Sequence, residues 1–369
     1  MKTLLSLIAS VFSLFLWSNT AVSQQEQQVP IEENIENLLL KDYRPVSVFN
    51  IPQTRVEKAK YPVIDMHSHN YARNKEEVNK WVESMDAAGI EVSSIMNNSR
   101  GEDFEVIVEK YGDHKDRFAL WCSFDYTDFD KPDWEKRALD LLVKYHKMGA
   151  VGVGEIGDKG TGDLYAFPTK GHGIHLDNPR VKVLLEKCAE LNMPVSVHIA
   201  DPIWMYLPID KNNDGLMNAL RWQVDTTVQN CLGYNGLITS FENAVAANPK
   251  TTFIACHYLN MNHDLPRLSA LLDKYPNLYF DIAGRVSEAG ATPRATREFI
   301  MKYADRIVFG TDNGMGVEMY RTVFRSLETN DEHIITSGNS YYWPLSGLNL
   351  PDDVLKKLYR DNANKLLKR

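Results

Sequence analysis

The stretch Tyr61-Pro-Val-Ile-Asp-Met-His-Ser-His69 organises the rest of the chain. Its short apolar run ends in His67 and His69, and side chains along a strand alternate between two faces. The two imidazoles are therefore expected on one face at the end of a strand. Neutral imidazole is a favoured ligand of zinc and similar divalent metals. Because an isolated pair of this kind is also typical of surface histidines, residues further along must decide its role.

The length and composition fit a globular protein with a large core. At 369 residues the chain can form one α/β barrel or two to three smaller domains. A formal net charge of −8 and the lack of a basic run argue against a nucleic-acid-binding surface. We therefore expect a small-molecule substrate and no nucleic-acid partner, and we leave a homo-oligomer open.

The N-terminus is typical of an export signal. Lys2 precedes the apolar run Leu4–Trp17, and Ala21-Val-Ser23 matches a small-x-small cleavage pattern. The run is shorter than the roughly 20 residues that span a bilayer. We therefore predict a signal peptide over residues 1–23, a mature start at Gln24, and a periplasmic or secreted protein without a membrane anchor.

Two segments are expected after the signal. Residues 24–60 are polar and predict a leader that wraps the body, with a short helix at Ile35–Leu40. From residue 61 to 369, short apolar runs alternate with helical patterns. The expected strands are Val63–Met66, Val92–Met96, Phe118–Ser123, Val151–Ile156, Pro194–Ile199, Thr252–His257, Leu278–Ile282 and Ile307–Gly310. The expected helices are Lys75–Ala88, Glu102–Tyr111, Trp134–Lys147, Pro179–Leu191, Ser240–Ala247, Leu265–Tyr275, Pro293–Tyr303 and Asp352–Leu367.

Eight strands alternating with eight helices predict a (β/α)8 TIM barrel. A doubly wound open sheet is the structural alternative. The barrel is favoured because it explains where the polar residues lie.

Those residues occur at or just past the ends of several predicted strands. They are His67, His69, Glu155, His198, His257 and Asp312. In a barrel the carboxyl ends of the strands meet around one rim, where catalytic residues lie. Each residue has a structural alternative; for example, Asp312 can cap a helix. Their shared position nevertheless predicts a metal site, with zinc expected first and manganese, iron or nickel also suited to such donors.

Longer motifs strengthen this interpretation. They are His67-Ser-His69, His198, His257, Pro276-Asn-Leu-Tyr-Phe-Asp281, Thr311-Asp312 and Tyr359-Arg-Asp-Asn-Ala-Asn-Lys-Leu-Leu367. Together they resemble the amidohydrolase superfamily, in the branch similar to aminocarboxymuconate-semialdehyde decarboxylase. The resemblance implies that His67, His69, His198 and Asp312 bind metal. It further implies that Asp312 carries a proton, and that His257 is either a second-metal ligand or a catalytic acid/base.

Glu155 departs from that branch. Many of its members lack a ligand on the fourth strand and hold one metal. Gly154-Glu-Ile-Gly157 is instead similar to the TatD-like metal-dependent nucleases, in which a Glu on this strand helps to bridge two metals. The sequence therefore leaves open whether one ion or two are bound.

The expected reaction is hydrolysis of an ester, lactone or amide bond. A bound cation lowers the pKa of its water towards about 7, and Asp312 would accept the proton and pass it to the leaving group. Export favours a scavenged, carbohydrate-derived substrate. Two alternatives stay open: a decarboxylase of a small carboxylated substrate, and a non-catalytic binding barrel.

Four further residues are candidate substrate contacts. They are Asn70, Asp201, Arg285 and Asn313. In the decarboxylase alternative, Arg285 would grip the substrate carboxylate, since guanidinium matches carboxylate geometry. Its structural alternative is a salt bridge to Glu288, which lies one helical turn further on.

Overall fold

The structure, a computed structural model, describes residues 35–97, 103–166, 169–336 and 341–368. The predicted signal peptide lies outside these residues. The chain divides into two compact units, one ending at Tyr43 and the other beginning at Arg44. In the described part of the first unit, the expected short helix consists of two 3₁₀ turns, Ile35–Asn37 and Leu40–Asp42.

The described part of the second unit has ten strands: β1 (Val63–His69), β2 (Ile90–Met96), β3 (Phe118–Cys122), β4 (Gly152–Asp158), β5 (Asp163–Tyr165), β6 (Lys170–His172), β7 (Val195–Ile199), β8 (Phe253–Ala255), β9 (Leu278–Asp281) and β10 (Ile307–Val308). Eight of them are parallel and form its centre, in the order β1-β2-β3-β4-β7-β8-β9-β10. The remaining two, β5 and β6, form an antiparallel hairpin attached to the end of β4.

The barrel closes between β1 and the residues around β10. The N–H of Met66 donates to the carbonyl of Phe309 at 2.8 Å. The N–H groups of Thr311 and Asp312 donate to the carbonyl of His67 at 3.2 and 2.9 Å. These bonds join the two ends of the strand order, so the predicted (β/α)8 barrel is confirmed and the open sheet is excluded.

Helices pack around the strands, as the alternating sequence pattern predicted. They are α1 (Lys75–Ala88), α2 (Phe104–Tyr111), α3 (Trp134–Lys147), α4 (Pro179–Glu190), α5 (Leu216–Trp222), α6 (Gly233–Ala247), α7 (Leu265–Lys274), α8 (Val286–Ala291), α9 (Pro293–Lys302), α10 (Val317–Glu328), α11 (Asp352–Lys356) and α12 (Asn362–Leu367). Local signals set their ends: the Asn178 side chain accepts from Arg180 N at the start of α4, with Pro179 in the first turn.

Among the described residues, none of the helices combines the length and the apolar character that a membrane span requires.

Several elements differ from the sequence prediction. The expected strand Thr252–His257 ends at Ala255, because the chain then enters a left-handed turn. The expected helix Asp352–Leu367 is interrupted by a π-helical turn at Lys357–Asp361. The β5–β6 hairpin and α5 were not predicted, since both belong to insertions at the carboxyl ends of strands rather than to the βα repeat.

The leader between residues 44 and 60 is fastened to the barrel by Asp331. Its carboxylate accepts from the backbone N and the Oγ1 of Thr54, each at 2.7 Å, and from Arg325 Nε at 2.8 Å. Asp331 is 5% exposed. A buried carboxylate with several donors stabilises the folded state, and it fixes the leader to the loop after α10.

We predict that Asp331→Asn lowers the free energy of unfolding by about 2 kcal/mol, because charge-assisted hydrogen bonds are lost. Denaturant titration of the variant and the wild type measures this. The matched control is Asp130→Asn, which removes a carboxylate paired with Lys131 at an exposed position, and a change within about 0.5 kcal/mol is expected. Equal effects in both variants would contradict a fastening role for Asp331.

Candidate metal centre

Six side chains meet at the carboxyl ends of the barrel strands. They are His67 and His69 from β1, Glu155 from β4, His198 from β7, His257 from the turn after β8, and Asp312 from the loop after β10. The structure therefore brings together all six residues that the sequence proposed for a metal site.

Glu155 lies among four imidazoles. Its Oε1 is 2.9 Å from His198 Nδ1 and 3.4 Å from His257 Nε2. The same oxygen is 3.6 Å from His67 Nε2, and Oε2 is 3.7 Å from His69 Nε2. Its two oxygens thus face different imidazoles, so this one buried carboxylate reaches every histidine of the cluster.

Asp312 approaches the imidazoles from the loop after β10. Its Oδ1 is 3.0 Å from His69 Nε2 and 3.9 Å from His67 Nε2, and its Oδ2 is 3.8 Å from His257 Nε2. The hydroxyl of Tyr71 donates to Oδ1 at 3.2 Å. The Asp312 side chain is 28% exposed, the largest value among the six. It is therefore the member of the cluster that a substrate reaches most easily.

The donor atoms form overlapping groups in which all atoms lie within 4.8 Å of one another. Three of these groups are His67 with His69 and Glu155, His67 with His257 and Asp312, and Glu155 with His198 and His257. Nitrogen and carboxylate donors at this spacing suit one divalent cation, or two that share Glu155.

A bulge in β1 sets the orientation of the first two histidines. Asp65 pairs with Ser93 and Ser68 pairs with Ile95, so β1 has one more residue than β2 between these points. A bulge changes which side chains share a face. In a regular strand, Met66 and His67 would lie on opposite faces. With the bulge, Met66 packs in an apolar cluster with Ile64 and Val308, while the next residue, His67, faces Glu155 and Asp312.

Three of the imidazoles are oriented through their second nitrogen. His67 Nδ1 is 2.7 Å from Asp281 Oδ2, and His257 Nδ1 is 2.7 Å from the carbonyl of Ala283. His198 Nε2 is 3.2 Å from Asp201 Oδ1. These partners are oxygens that accept, so they favour a proton on the outer nitrogen and leave the inner nitrogen free for a cation. This arrangement is the usual outer support of metal-binding histidines.

His257 is presented by an unusual backbone. The four residues from His257 to Asn260 have φ values of 60°, 53°, 53° and 52°. The left-handed region costs an L-residue about 1–2 kcal/mol, so the turn requires support from its surroundings. Part of that support is Asp281, whose Oδ1 accepts from His257 N at 2.8 Å.

The electrostatics keep both carboxylates ionised. Burial raises the pKa of Glu155, but His198, His257 and His67 together outweigh burial and hold that pKa well below its usual range. Burial also raises the pKa of Asp312, and His67 and His69 lower it further than burial raises it. Burial lowers the pKa of His198, but Glu155 and Asp201 raise it to about 9, so without metal the ring carries a proton on its inner nitrogen that a bound cation would displace. Ionised carboxylates are the form that binds a cation.

The residues fit a divalent metal. His67 Nε2 is buried and has no hydrogen-bond partner among the described residues. Such an atom is costly unless something satisfies it. A divalent cation would satisfy it, and the surrounding imidazole and carboxylate atoms are the donors that such cations prefer. We therefore assign a divalent-metal site to this cluster.

Two of the residues predicted to contact substrate have hydrogen-bond partners outside the cluster. Asn70 is buried, and its Oδ1 accepts from Lys110 Nζ at 3.0 Å and from Tyr111 OH at 3.1 Å. These partners lie on α2. Asn313 is exposed, and its Nδ2 donates to the carbonyl of Thr311 at 2.9 Å. A substrate role for either residue stays a prediction.

The other two lie beside the cluster and have protein partners. Asp201 orients His198 and forms an ion pair with Lys159 at 2.8 Å. Arg285 donates from Nε to Asn260 Oδ1 at 3.0 Å, and its Nε is 3.7 Å from Glu288 Oε1. The salt bridge considered from the sequence is therefore present, while the grip on a substrate carboxylate stays a prediction.

Sequence reasoning gave no role to Asp281 or Lys159. Asp281 ends β9 just as His69 ends β1, so its position at a strand end could have placed it at the site. Lys159 follows β4 directly, and nothing in its sequence neighbourhood distinguishes it from an ordinary surface lysine.

A barrel that gathers imidazoles and carboxylates at the carboxyl ends of its strands defines a metal-dependent barrel enzyme. The chain belongs to the amidohydrolase family, whose model matches residues 54–369. No curated protein matches the sequence.

Solved structures share the fold at low sequence identity. One is 2,6-dihydroxybenzoate decarboxylase from Rhizobium, with a TM-score of 0.51 and 16% identity over 84% of this chain and 99% of that one. Another is a dihydroxybenzoic acid decarboxylase from Polaromonas sp. JS666 with bound manganese and 2-nitroresorcinol, with a TM-score of 0.53 and 14% identity over 84% and 97%. A third is a 5-carboxyvanillate decarboxylase from Novosphingobium aromaticivorans with bound manganese, with a TM-score of 0.51 and 13% identity over 86% and 100%.

These relatives correct the sequence-based expectation of a hydrolase. The activity that each of the three carries in its name is decarboxylation. The expectation rested on the donor atoms alone, and the same donors serve both reactions. At these identities the likeness establishes the fold, so the reaction of this chain is a matter of proposal.

We predict that Gly310→Ala disrupts the centre. A Cβ at Gly310 would lie 2.7 Å from His67 Cβ and 3.2 Å from Ala283 Cβ, so His67 must shift. We expect the free energy of unfolding to fall by about 1–3 kcal/mol. The bound metal, measured by elemental analysis after dialysis, should fall as well.

The matched control is Gly316→Ala in the same loop. A Cβ at Gly316 meets nothing within 4 Å, and its φ is −86°. Wild-type metal content is expected there. Full metal content in Gly310→Ala would show that His67 is not a ligand.

Proposed function

We propose that this protein is a metal-dependent decarboxylase of a small carboxylated substrate. The observation that carries the proposal is the buried cluster of four histidines, Glu155 and Asp312 at the mouth of a barrel that known decarboxylases share. Hydroxybenzoates are the substrate class to test first, since the relatives act on them.

His67, His69, Glu155, His198, His257 and Asp312 would hold the metal between them. When bound, a divalent cation supplies positive charge that orients substrate oxygens and stabilises the negative charge developing as the carbon–carbon bond breaks. Zinc was expected from the sequence, while two relatives hold manganese. Because Glu155 lies close to all four histidines, its position supports the proposal that the site can hold a second ion.

Asp312 is the proposed proton carrier. Decarboxylation breaks the bond to the carboxylate carbon, leaves its electron pair on the other carbon, and requires one proton there. Asp312 combines the greatest exposure in the cluster with a hydrogen bond from Tyr71, which holds Oδ1. Because its carboxylate is ionised in the resting site, Asp312 would first take up a proton from solvent and then deliver it through Oδ2 to that carbon, which is general acid–base catalysis.

His257 is placed to assist that transfer. Its Nε2 is 3.8 Å from Asp312 Oδ2, and its Nδ1 donates to a backbone carbonyl. Burial and the charge of Arg285 lower the pKa of His257, so the imidazole is neutral at pH 7. A neutral ring with its inner nitrogen unprotonated can take up a proton from solvent and pass it to Asp312, or it can bind the metal.

We predict that the wild-type protein, loaded with manganese or zinc, releases CO2 from a hydroxybenzoate in proportion to the carboxylate consumed. Asp312→Asn should lower kcat by roughly 100-fold or more, because the proton carrier is lost. A coupled CO2 assay and chromatography of the product measure both quantities.

Asp305→Asn is the control, since that carboxylate is exposed and pairs with Lys357. It should keep wild-type activity. A product formed without CO2, or full activity in Asp312→Asn, would contradict the proposed reaction.

Export remains part of the proposal. The apolar run and the small residues before Gln24 support a cleaved signal peptide and a periplasmic or secreted protein. We predict that intact mass spectrometry of the protein recovered from the periplasm of a bacterial host gives a chain starting at Gln24. Ser23→Arg should block cleavage. An uncleaved chain retained in the cytoplasm of the wild type would rule out export.

A further inference from the structure

Asn260 connects three strand ends beside the metal centre. Its Nδ2 donates to the carbonyls of Ile199 and Ala200, at 3.1 and 3.0 Å, where β7 ends. Its Oδ1 accepts from Arg285, which lies beyond the end of β9. Asn260 itself closes the turn that begins at His257 after β8. With 2% exposure, it makes these contacts in the interior.

Arg285 completes this connection with its whole guanidinium group. Nε and Nη2 both donate to Asn260 Oδ1, and Nη1 donates to the carbonyl of Gly284 at 2.9 Å. Glu288, 3.7 Å from Nε, balances the charge. Every nitrogen of the planar fork therefore has a protein acceptor, and the Arg285 side chain is only 14% exposed.

The turn needs such support. Tyr258 and Leu259 occupy the left-handed region with φ of 53° each, although residues of their kind rarely do so. A conformation of this sort persists only where its surroundings determine it. Tyr234 contributes by donating from its hydroxyl to the carbonyl of Asn260 at 2.8 Å. The far end of the turn is thus fixed by Arg285, Tyr234 and β7 together.

We propose that Arg285 and Asn260 form a positioning pair that sets His257 against His198, and that Arg285 serves the site through this pair rather than by gripping a substrate carboxylate. His257 Nε2 and His198 Nδ1 are 3.2 Å apart, and the pair joins the two backbone segments that carry them. The inference rests on the metal centre of the proposed function, but not on the reaction carried out there.

The test compares Arg285→Met, Arg285→Lys and Asn260→Asp with the wild type. Arg285→Lys keeps the charge but loses the fork, while Asn260→Asp keeps the acceptor for Arg285 and loses the two donors to β7. The first readout is the Kd for Mn²⁺ alone, from titration of the metal-free protein against a chelating dye. The second is kcat and KM with whichever hydroxybenzoate the wild type decarboxylates.

All three variants should bind Mn²⁺ more weakly by about 10- to 100-fold, as loss of outer support for metal ligands does. They should also lower kcat while KM changes little. The matched control is Arg306→Met. Arg306 also donates to backbone carbonyls, of Leu278 and Tyr275, but at the opposite end of β9. It should lose stability and keep its Mn²⁺ affinity.

A grip on substrate predicts a different pattern. In that case Arg285→Met and, to a smaller extent, Arg285→Lys raise KM while the Mn²⁺ affinity stays at the wild-type value; this result would overturn the proposal. If Arg285→Met does not fold, the Mn²⁺ titration of Arg285→Lys and Asn260→Asp decides. If the wild type releases no CO2, the proposed reaction fails, while the Mn²⁺ titration still tests the positioning pair by itself.

Discussion

The buried carboxylate of Asp281 is the interaction on which the rest of the site depends. Oδ2 accepts from His67 Nδ1 at 2.7 Å, and Oδ1 accepts from the backbone N of His257 and of Ala283 at 2.8 and 3.0 Å. A fully buried charge is costly unless donors surround it, and here three do. One side chain thereby orients a metal-binding ring from β1 and fixes the start of the left-handed turn that presents another.

The donor atoms of the metal site do not by themselves decide which reaction the protein catalyses. Imidazoles and carboxylates around a cation are suited to activating water and also to stabilising charge on a carboxylated substrate. Composition therefore pointed to hydrolysis and decarboxylation alike, and the preference for hydrolysis was wrong. The choice between reactions belongs to the loops at the mouth, which vary widely on one barrel fold.

Much of the fold was predictable because its signals are local. Each strand is a short apolar run and each helix shows an apolar face, so neighbouring residues reveal the βα repeat. The departures occur where distant parts of the chain decide. The β8 strand ends at Ala255 because the following turn is held by Asp281 and Asn260, and the bulge in β1 arises against β2. No short-range pattern indicates either feature.

The same distinction between local and distant signals applies to the candidate site. The sequence by itself determined the six donors, from His67 to Asp312, because residues that end strands can be recognised from the apolar runs before them. Only the tertiary structure decided that His67 presents Nε2 and His198 presents Nδ1, and that Arg285 is engaged with Asn260. The physical reason is that each orientation is set by a hydrogen-bond partner on another segment: Asp281, which fixes His67, lies 214 positions away in the chain.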